Sequence, residues 1–318
     1  MHQPLALHEI EAARARIAGA AIRTPLVRLN LDEAPAEIHL KLESLQPIGS
    51  FKIRGAANAF AMADPADLRR GVWTASAGNM AQGVAWCARR LGVPCSVVVP
   101  ETAPEAKLGA IRRLGARPIA VPVADWFDVF ATRRFPGLDG LFVHPFSDPN
   151  VMAGNGTIGL EILEDQPEVD AVLVPYGGGG LIAGVASAVK ALKPQARVYA
   201  CEVDTAAPLG PSLAAGRPVE VAFVPTFVDG IGAPRVFPEM FDLVGTLVDG
   251  ALASSVDEIA AAAKLLVERN RVVAEGAGAA SVAAALAGKG GQGKVVCVVS
   301  GGNIDPAKLA SILRGEAP

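Results

Sequence analysis

Short runs rich in β-branched residues recur along this chain, at 96–99, 119–123, 171–174, 198–201 and 294–299. Between them lie stretches whose apolar residues follow helical spacing, at 81–91, 105–114, 151–163, 181–192 and 256–269. A strand, a crossover helix and a further strand make a βαβ unit, and the crossover forces the two strands to run parallel. The runs are apolar throughout, as expected of strands whose sheet is covered by helices on both faces. The pattern therefore predicts an α/β fold with open, twisted parallel sheets. The richest apolar stretch, 276–288, is mostly alanine and reads as a buried helix.

At about 150 residues per domain, 318 residues suggest two domains. No flexible linker separates them, which fits two lobes sharing a cleft, with the chain crossing more than once. Ligands of such folds bind at the carboxyl ends of strands. No internal repeat, low-complexity segment or appended regulatory domain is expected.

Several function classes are excluded. The net charge is −3, from 29 basic and 32 acidic residues, so no basic excess exists to neutralise a nucleic-acid backbone. Aromatic residues make up 5%, too few for base-stacking platforms. No apolar run reaches the ~20 residues of a membrane span. The N-terminus lacks a signal-peptide pattern, so a cytoplasmic location is expected. Cys87, Cys95, Cys201 and Cys297 form no CxxC pair and read as core thiols in a reducing compartment. His2, His8, His39 and His144 have no metal-ligand spacing.

Four motifs carry chemistry. Ser50-Phe51-Lys52-Ile53-Arg54-Gly55 follows a strand-like segment, with Gly49-Ser50 as a turn and N-cap. Lys52 then sits in the first turn of a helix, where the dipole disfavours an ammonium ion and favours a neutral, nucleophilic amine. A lone lysine is more often a solvated surface residue. Tyr176-Gly177-Gly178-Gly179-Gly180-Leu181 joins a strand to a helix. Its bare backbone N–H groups suit an anion, most often phosphate, although it matches neither the dinucleotide nor the P-loop pattern. Ser76-Ala77-Gly78-Asn79-Met80-Ala81-Gln82-Gly83 enters a helix, where short polar residues cap it or hold a carboxylate. Val299-Ser300-Gly301-Gly302-Asn303 closes the last strong strand and by itself is only a turn.

Together, in this order and spacing, the four motifs resemble the fold-type II pyridoxal-phosphate enzymes, and most closely the serine/threonine dehydratases and serine racemase. Asp148-Pro149, Gly154 to Thr157 and Glu275-Gly276-Ala277-Gly278-Ala279 extend the resemblance over nearly the whole chain. It implies a tryptophan synthase β-like fold with the cofactor between two lobes. The large cofactor-binding lobe would comprise 1–62 and 146–318, and the small closing lobe 63–145.

The resemblance also implies roles. Lys52 would bind pyridoxal 5'-phosphate as an imine and later move the substrate α-proton. Phe51 would pack on the cofactor ring, Asn79 would hydrogen-bond its 3-oxygen, and Gly177, Gly178, Gly179 and Gly180 would hold its phosphate. Ser300 would meet the pyridine nitrogen, with Glu275 also beside the cofactor. A serine hydroxyl cannot protonate that nitrogen as a carboxylic acid could, which favours prompt β-elimination over transamination. Ser76, Ala77, Gly78, Asn79 and Met80 would bind the substrate carboxylate. The implied activity is dehydration and deamination of β-hydroxy-α-amino acids of the L-threonine/L-serine type, giving a 2-keto acid and ammonia. A homodimer is expected, because relatives are commonly dimers. Alternatives are a β-replacement synthase, a racemase and a binding protein that only holds the cofactor.

Departures from the family pattern bear on substrate. Met80 stands for the usual histidine, Asn155 for glutamine, and Ala233 for a serine that contacts the substrate hydroxyl. These changes suggest a roomier apolar pocket, suited to a substrate such as L-threo-phenylserine. Ala77 replaces the serine that racemases use as the opposite-face acid, so racemisation should be poor. The family's divalent-cation site would use Glu202 and the carbonyl of Ala206, but Pro208 replaces its aspartate, which puts any monovalent or divalent cation in doubt.

Overall fold

The apolar runs pair into two sheets in the computed structural model, which describes residues 3–318; His2 lies outside them. The strands are β1 (Leu26–Arg28), β2 (Glu37–Leu42), β3 (Val72–Ala75), β4 (Cys95–Pro100), β5 (Arg117–Val121), β6 (Leu141–Phe142), β7 (Ala171–Pro175), β8 (Arg197–Val203), β9 (Gly250–Ser254) and β10 (Lys294–Val299). Six form one sheet in the order β1-β2-β10-β7-β8-β9, and four form another in the order β5-β4-β3-β6. The six-strand sheet draws on 1–62 and 146–318, and the four-strand sheet lies within 63–145. Pairing is parallel except for β1, which runs antiparallel to β2.

β10 lies between β2 and β7, with Val296 opposite His39 and Val172. Every residue of β7 is buried, because helices cover both faces. The edge strand β5 departs from the expectation of apolar strands throughout, since its residues are exposed or half-buried. The run 119–123 is also not one strand. It stops at Val121, and Pro122, which has no N–H to give a ladder, opens the helix Val123–Thr132. The stretch 256–269 is helical to Leu265 and then widens into a π turn over Leu266–Asn270. The alanine-rich helix Gly276–Leu286 is buried as its composition suggests.

The helix Lys52–Ala61 wedges between the lobes. Ile53, Ala56 and Phe60 join the apolar cluster of the small lobe with Val84 and Val97. On its other side, a Cβ on Gly154 would come 2.4 Å from the carbonyl oxygen of Arg54, so the helix Pro149–Asp165 can pack this close only with glycine there.

Beneath the wedge lies a buried ionic cluster. Arg54 Nε and Nη2 donate to Glu43 Oε2 and Oε1, both at 2.8 Å, and Nη1 and Nη2 donate to Glu161 at 2.6 and 2.8 Å. Nη1 also reaches Thr157 Oγ1 at 3.0 Å, and Lys41 Nζ lies 2.6 Å from Glu161. The helix that begins with Lys52 is thereby pinned to the turn that follows β2 and to the Pro149–Asp165 helix.

Candidate active site

The carboxyl ends of β7 and β10, the Lys52 helix and the Asn79–Leu91 helix converge on a cavity of about 310 Å³. Gly49, at φ +71°, turns the chain into the Lys52 helix, a conformation that suits glycine. Two backbone bonds lock this turn to the end of β10: Phe51 N–H donates to Ser300 O, and Gly302 N–H donates to Gly49 O, both at 2.9 Å. The N-cap is Phe51, not Ser50, and no side chain caps the helix. Lys52 is its first residue, as the sequence suggests.

Lys52 Nζ donates to the carbonyl oxygen of Pro145 at 2.6 Å. Burial pushes its pKa down to about 8, partly opposed by the nearby Glu275 carboxylate. Desolvation is thus the leading cause, rather than the helix dipole expected from sequence. An amine with this pKa is partly neutral near physiological pH, which a nucleophilic lysine requires.

The four glycines line the same cavity. A Cβ on Gly178 would lie 2.3 Å from the Phe146 ring, and one on Gly180 would lie 2.5 Å from the Phe146 carbonyl oxygen. Gly179 adopts φ +89° as N-cap of the helix Gly180–Leu192. Among the described residues, no backbone acceptor takes the N–H groups of Gly177, Gly178, Gly179 or Gly180. Unspent donors at a helix N-terminus suit a phosphate.

Ser76, Ala77, Gly78, Asn79 and Met80 form another wall. Here too the expected side-chain cap is absent. Gly78 is the N-cap, and Ser76 Oγ instead accepts from Gly78 N–H at 3.2 Å. Asn79 Nδ2 donates to Glu275 Oε1 at 2.7 Å. Burial raises the Glu275 pKa to about 7, with the Asn79 hydrogen bond opposing. Ser300, nearly buried, and Phe51 complete the lining.

Some sequence expectations fail to meet there. Ala233 does not line the cavity; Ile231 faces it instead. Met80 touches the wall, but its side chain is 1% exposed and packs in the small-lobe core, so it opens little room. Asn155 lies behind the glycine loop, where its Nδ2 donates to Gly180 O at 3.1 Å. It supports the loop and does not shape the substrate pocket.

Glu202, Ala206 and Pro208 lie away from the cleft. Glu202 Oε1 accepts from Leu209 N–H at 2.9 Å and Oε2 from Gly210 N–H at 3.2 Å. Both oxygens already face N–H donors, burial lifts the pKa to about 7, and Pro208 brings no carboxylate. These residues do not fit a divalent cation. The four cysteines are buried. No helix among the described residues is long and apolar enough to cross a membrane.

The sequence reading missed Lys107, Trp126, Phe146 and Asp229, all of which line the cavity. Lys107 Nζ reaches Asp229 Oδ2 across the lobes at 2.8 Å. No local pattern marks these residues; only the lobe arrangement brings them in.

Residues 17–301 match the family described as pyridoxal-phosphate dependent enzyme. The chain belongs to that family. It is 43% identical to an L-threonine ammonia-lyase of Thermotoga maritima over 98% of this chain and 78% of that one. It is 39% identical to the catabolic L-threonine dehydratase of Escherichia coli, over 97% of this chain and 96% of the relative. Among solved structures, maize serine racemase superposes with a TM-score of 0.89 at 33% identity, covering 98% and 97% of the two chains. Threonine deaminase isoform 2 of Solanum lycopersicum gives 0.88 at 34%, covering 97% and 86%.

The fold is therefore fold-type II, and the cofactor of the family is pyridoxal phosphate. The residues present fit it: a half-buried, partly desolvated amine stands in the same cavity as a loop of unspent N–H groups.

Proposed function

We propose that this enzyme dehydrates and deaminates β-hydroxy-α-amino acids of the L-threonine/L-serine type, releasing a 2-keto acid and ammonia. The observation that carries the reading is the half-buried Lys52 amine, its pKa lowered to about 8 by desolvation, in one cavity with Asn79, Ser300 and the four-glycine loop. The threonine ammonia-lyase and dehydratase names of its relatives support the same reaction class.

Pyridoxal phosphate, when bound, supplies an electron sink for the charge left at the substrate α-carbon. The chain supplies the rest. The backbone N–H groups of Gly177, Gly178, Gly179 and Gly180 would hold the phosphate, and Phe51 would pack against the ring. Asn79 would donate to the ring oxygen. The Ser300 hydroxyl would meet the ring nitrogen without charging it, which would limit how far charge is drawn in and favour loss of the β-substituent. The segment Ser76–Ala77–Gly78 would hold the substrate carboxylate. Lys52 Nζ would take the α-proton and return it to the β-hydroxyl as the β-carbon–oxygen bond breaks, so that the hydroxyl leaves as water. The released enamine tautomerises and hydrolyses to the keto acid and ammonia.

A second reading has the same chemistry with a bulkier substrate, L-threo-phenylserine. Trp126, Phe146, Ile231 and Pro100 give the cavity an apolar wall that favours it. Keto-acid formation from L-threonine and L-threo-phenylserine, side by side with added pyridoxal phosphate, separates the two. Faster 2-oxobutyrate assigns the threonine group, and faster phenylpyruvate assigns the aromatic substrate. No keto acid from either overturns the proposal.

A further inference from the structure

Both ends of the Asn79 amide are held from the opposite lobe. Its Nδ2 donates to Glu275 Oε1 at 2.7 Å, and its Oδ1 accepts from Asn303 Nδ2 at 2.8 Å. Asn303 Nδ2 also donates to the carbonyl oxygen of Ile48 at 2.8 Å, on the turn that leads to Lys52. Asn303 therefore touches two parts of the site: the approach to the lysine and the small-lobe asparagine.

A primary amide has two N–H donors and one carbonyl. Asn79 gives one N–H to Glu275 and keeps the other for the cleft. The amide turned by 180° would have nearly the same shape. It would set a carbonyl oxygen against the Glu275 carboxyl and an NH₂ group against the Asn303 NH₂, replacing two hydrogen bonds with two clashes of like polarity. The Asn303 donor thus selects the orientation that offers the cleft an N–H. Asn303 itself does not line the cofactor cavity. It lines a neighbouring cavity of about 340 Å³, separated from the first by a wall that includes Glu275, Lys107 and Asp229.

We propose that Asn303 is a positioning residue, which fixes the Asn79 amide with its N–H toward the cofactor and makes that orientation depend on the small lobe resting against the large one. The inference rests on the reading of Asn79 as the partner of the cofactor's ring oxygen. The bond that fixes the orientation thus spans the two lobes, while the Asn303–Ile48 bond lies within the large one.

The test uses the full chain as apoenzyme, titrated with pyridoxal phosphate and followed by its visible absorbance. Asn79→Ala, Asn303→Asp and the double variant are compared, with apoenzyme unfolding temperature as a fold control. Asn303→Asp keeps size and backbone N–H but replaces the amide donor with a charged carboxylate acceptor, and Asn303→Ala removes the donor without adding charge. The expected result is about five- to tenfold weaker cofactor binding, the worth of a neutral hydrogen bond, and an absorbance shift in the same direction as Asn79→Ala. The double variant should be no worse than Asn79→Ala alone, because Asn303 acts through Asn79. If Asn79→Ala changes binding and absorbance while Asn303→Asp matches wild type, or if the two effects add, the proposal is overturned and the Asn79 reading survives. If Asn79→Ala itself changes nothing, both fall. Should Asn303→Asp unfold, Asn303→Ala is read in the same way.

Discussion

Replacing Arg54 with methionine should destabilise the protein far more than an ordinary substitution. The guanidinium is 1% exposed and makes paired hydrogen bonds to Glu43 and Glu161, with further bonds to Thr157 and the Ile22 carbonyl. Methionine fills much of the same volume but leaves two buried carboxylates with Lys41 as their remaining cation, 2.6 Å from Glu161. Stranding one side of a buried pair costs about 3–5 kcal/mol, even where replacing the whole pair with apolar residues would be neutral. For a chain of this size that corresponds to a fall of roughly 5–8 °C in Tm. Burial alone would raise the Glu43 pKa, but the charge and hydrogen bonds of Arg54 outweigh it, and the net direction is down. A carboxyl depressed in the folded state contributes stability above its ordinary value of 4.5, and that stability is lost as pH falls through the folded value. The deficit of the variant should therefore be largest near neutral pH and should narrow below pH 4.5. Chemical denaturation across pH measures it. A loss under about 1 kcal/mol at pH 7, or a deficit that does not change with pH, would refute the ionic reasoning.

Lys52→Ala should abolish keto-acid release while leaving the unfolding temperature close to that of wild type; turnover at the wild-type rate would remove Lys52 from its role. With the Lys52 pKa lowered to about 8, the rate at which apoenzyme takes up pyridoxal phosphate should rise about tenfold per pH unit below 8 and level off above it. A rise that continues toward pH 10 would mean the amine is not depressed. Ala77→Ser, on the cavity wall, should increase formation of the D-isomer from an L-amino acid, measured by chiral chromatography, and an unchanged D-fraction would count against Ala77 as the position of the second acid.

The motif residues were legible because they depend on local backbone. Lys52 opens its helix, the four glycines keep their N–H groups bare, and Ser300 directly follows β10, each as the chain order suggests. Errors arose where a residue's direction, rather than its place in the chain, mattered. Ala233 and Ile231 lie two positions apart, and only the path of the loop decides that Ile231 faces the cavity. Asn155 resembled a pocket residue but is turned toward the Gly180 carbonyl. Met80 enters the small-lobe core because its helix presents that face inward.

Periodicity and turn chemistry by themselves determined the parallel α/β architecture, the buried alanine helix and the four motifs, since hydrogen-bonding patterns and glycine's lack of a side chain act over a few residues. Tertiary structure alone decided the lowered Lys52 pKa, because desolvation requires walls supplied by distant segments. It alone brought Lys107 to Asp229, 122 residues apart, and Asn303 to Asn79, 224 apart. The sequence also holds Arg54, Glu43 and Glu161, but only the packed interior makes them one unit, because there no water remains to satisfy each charge separately.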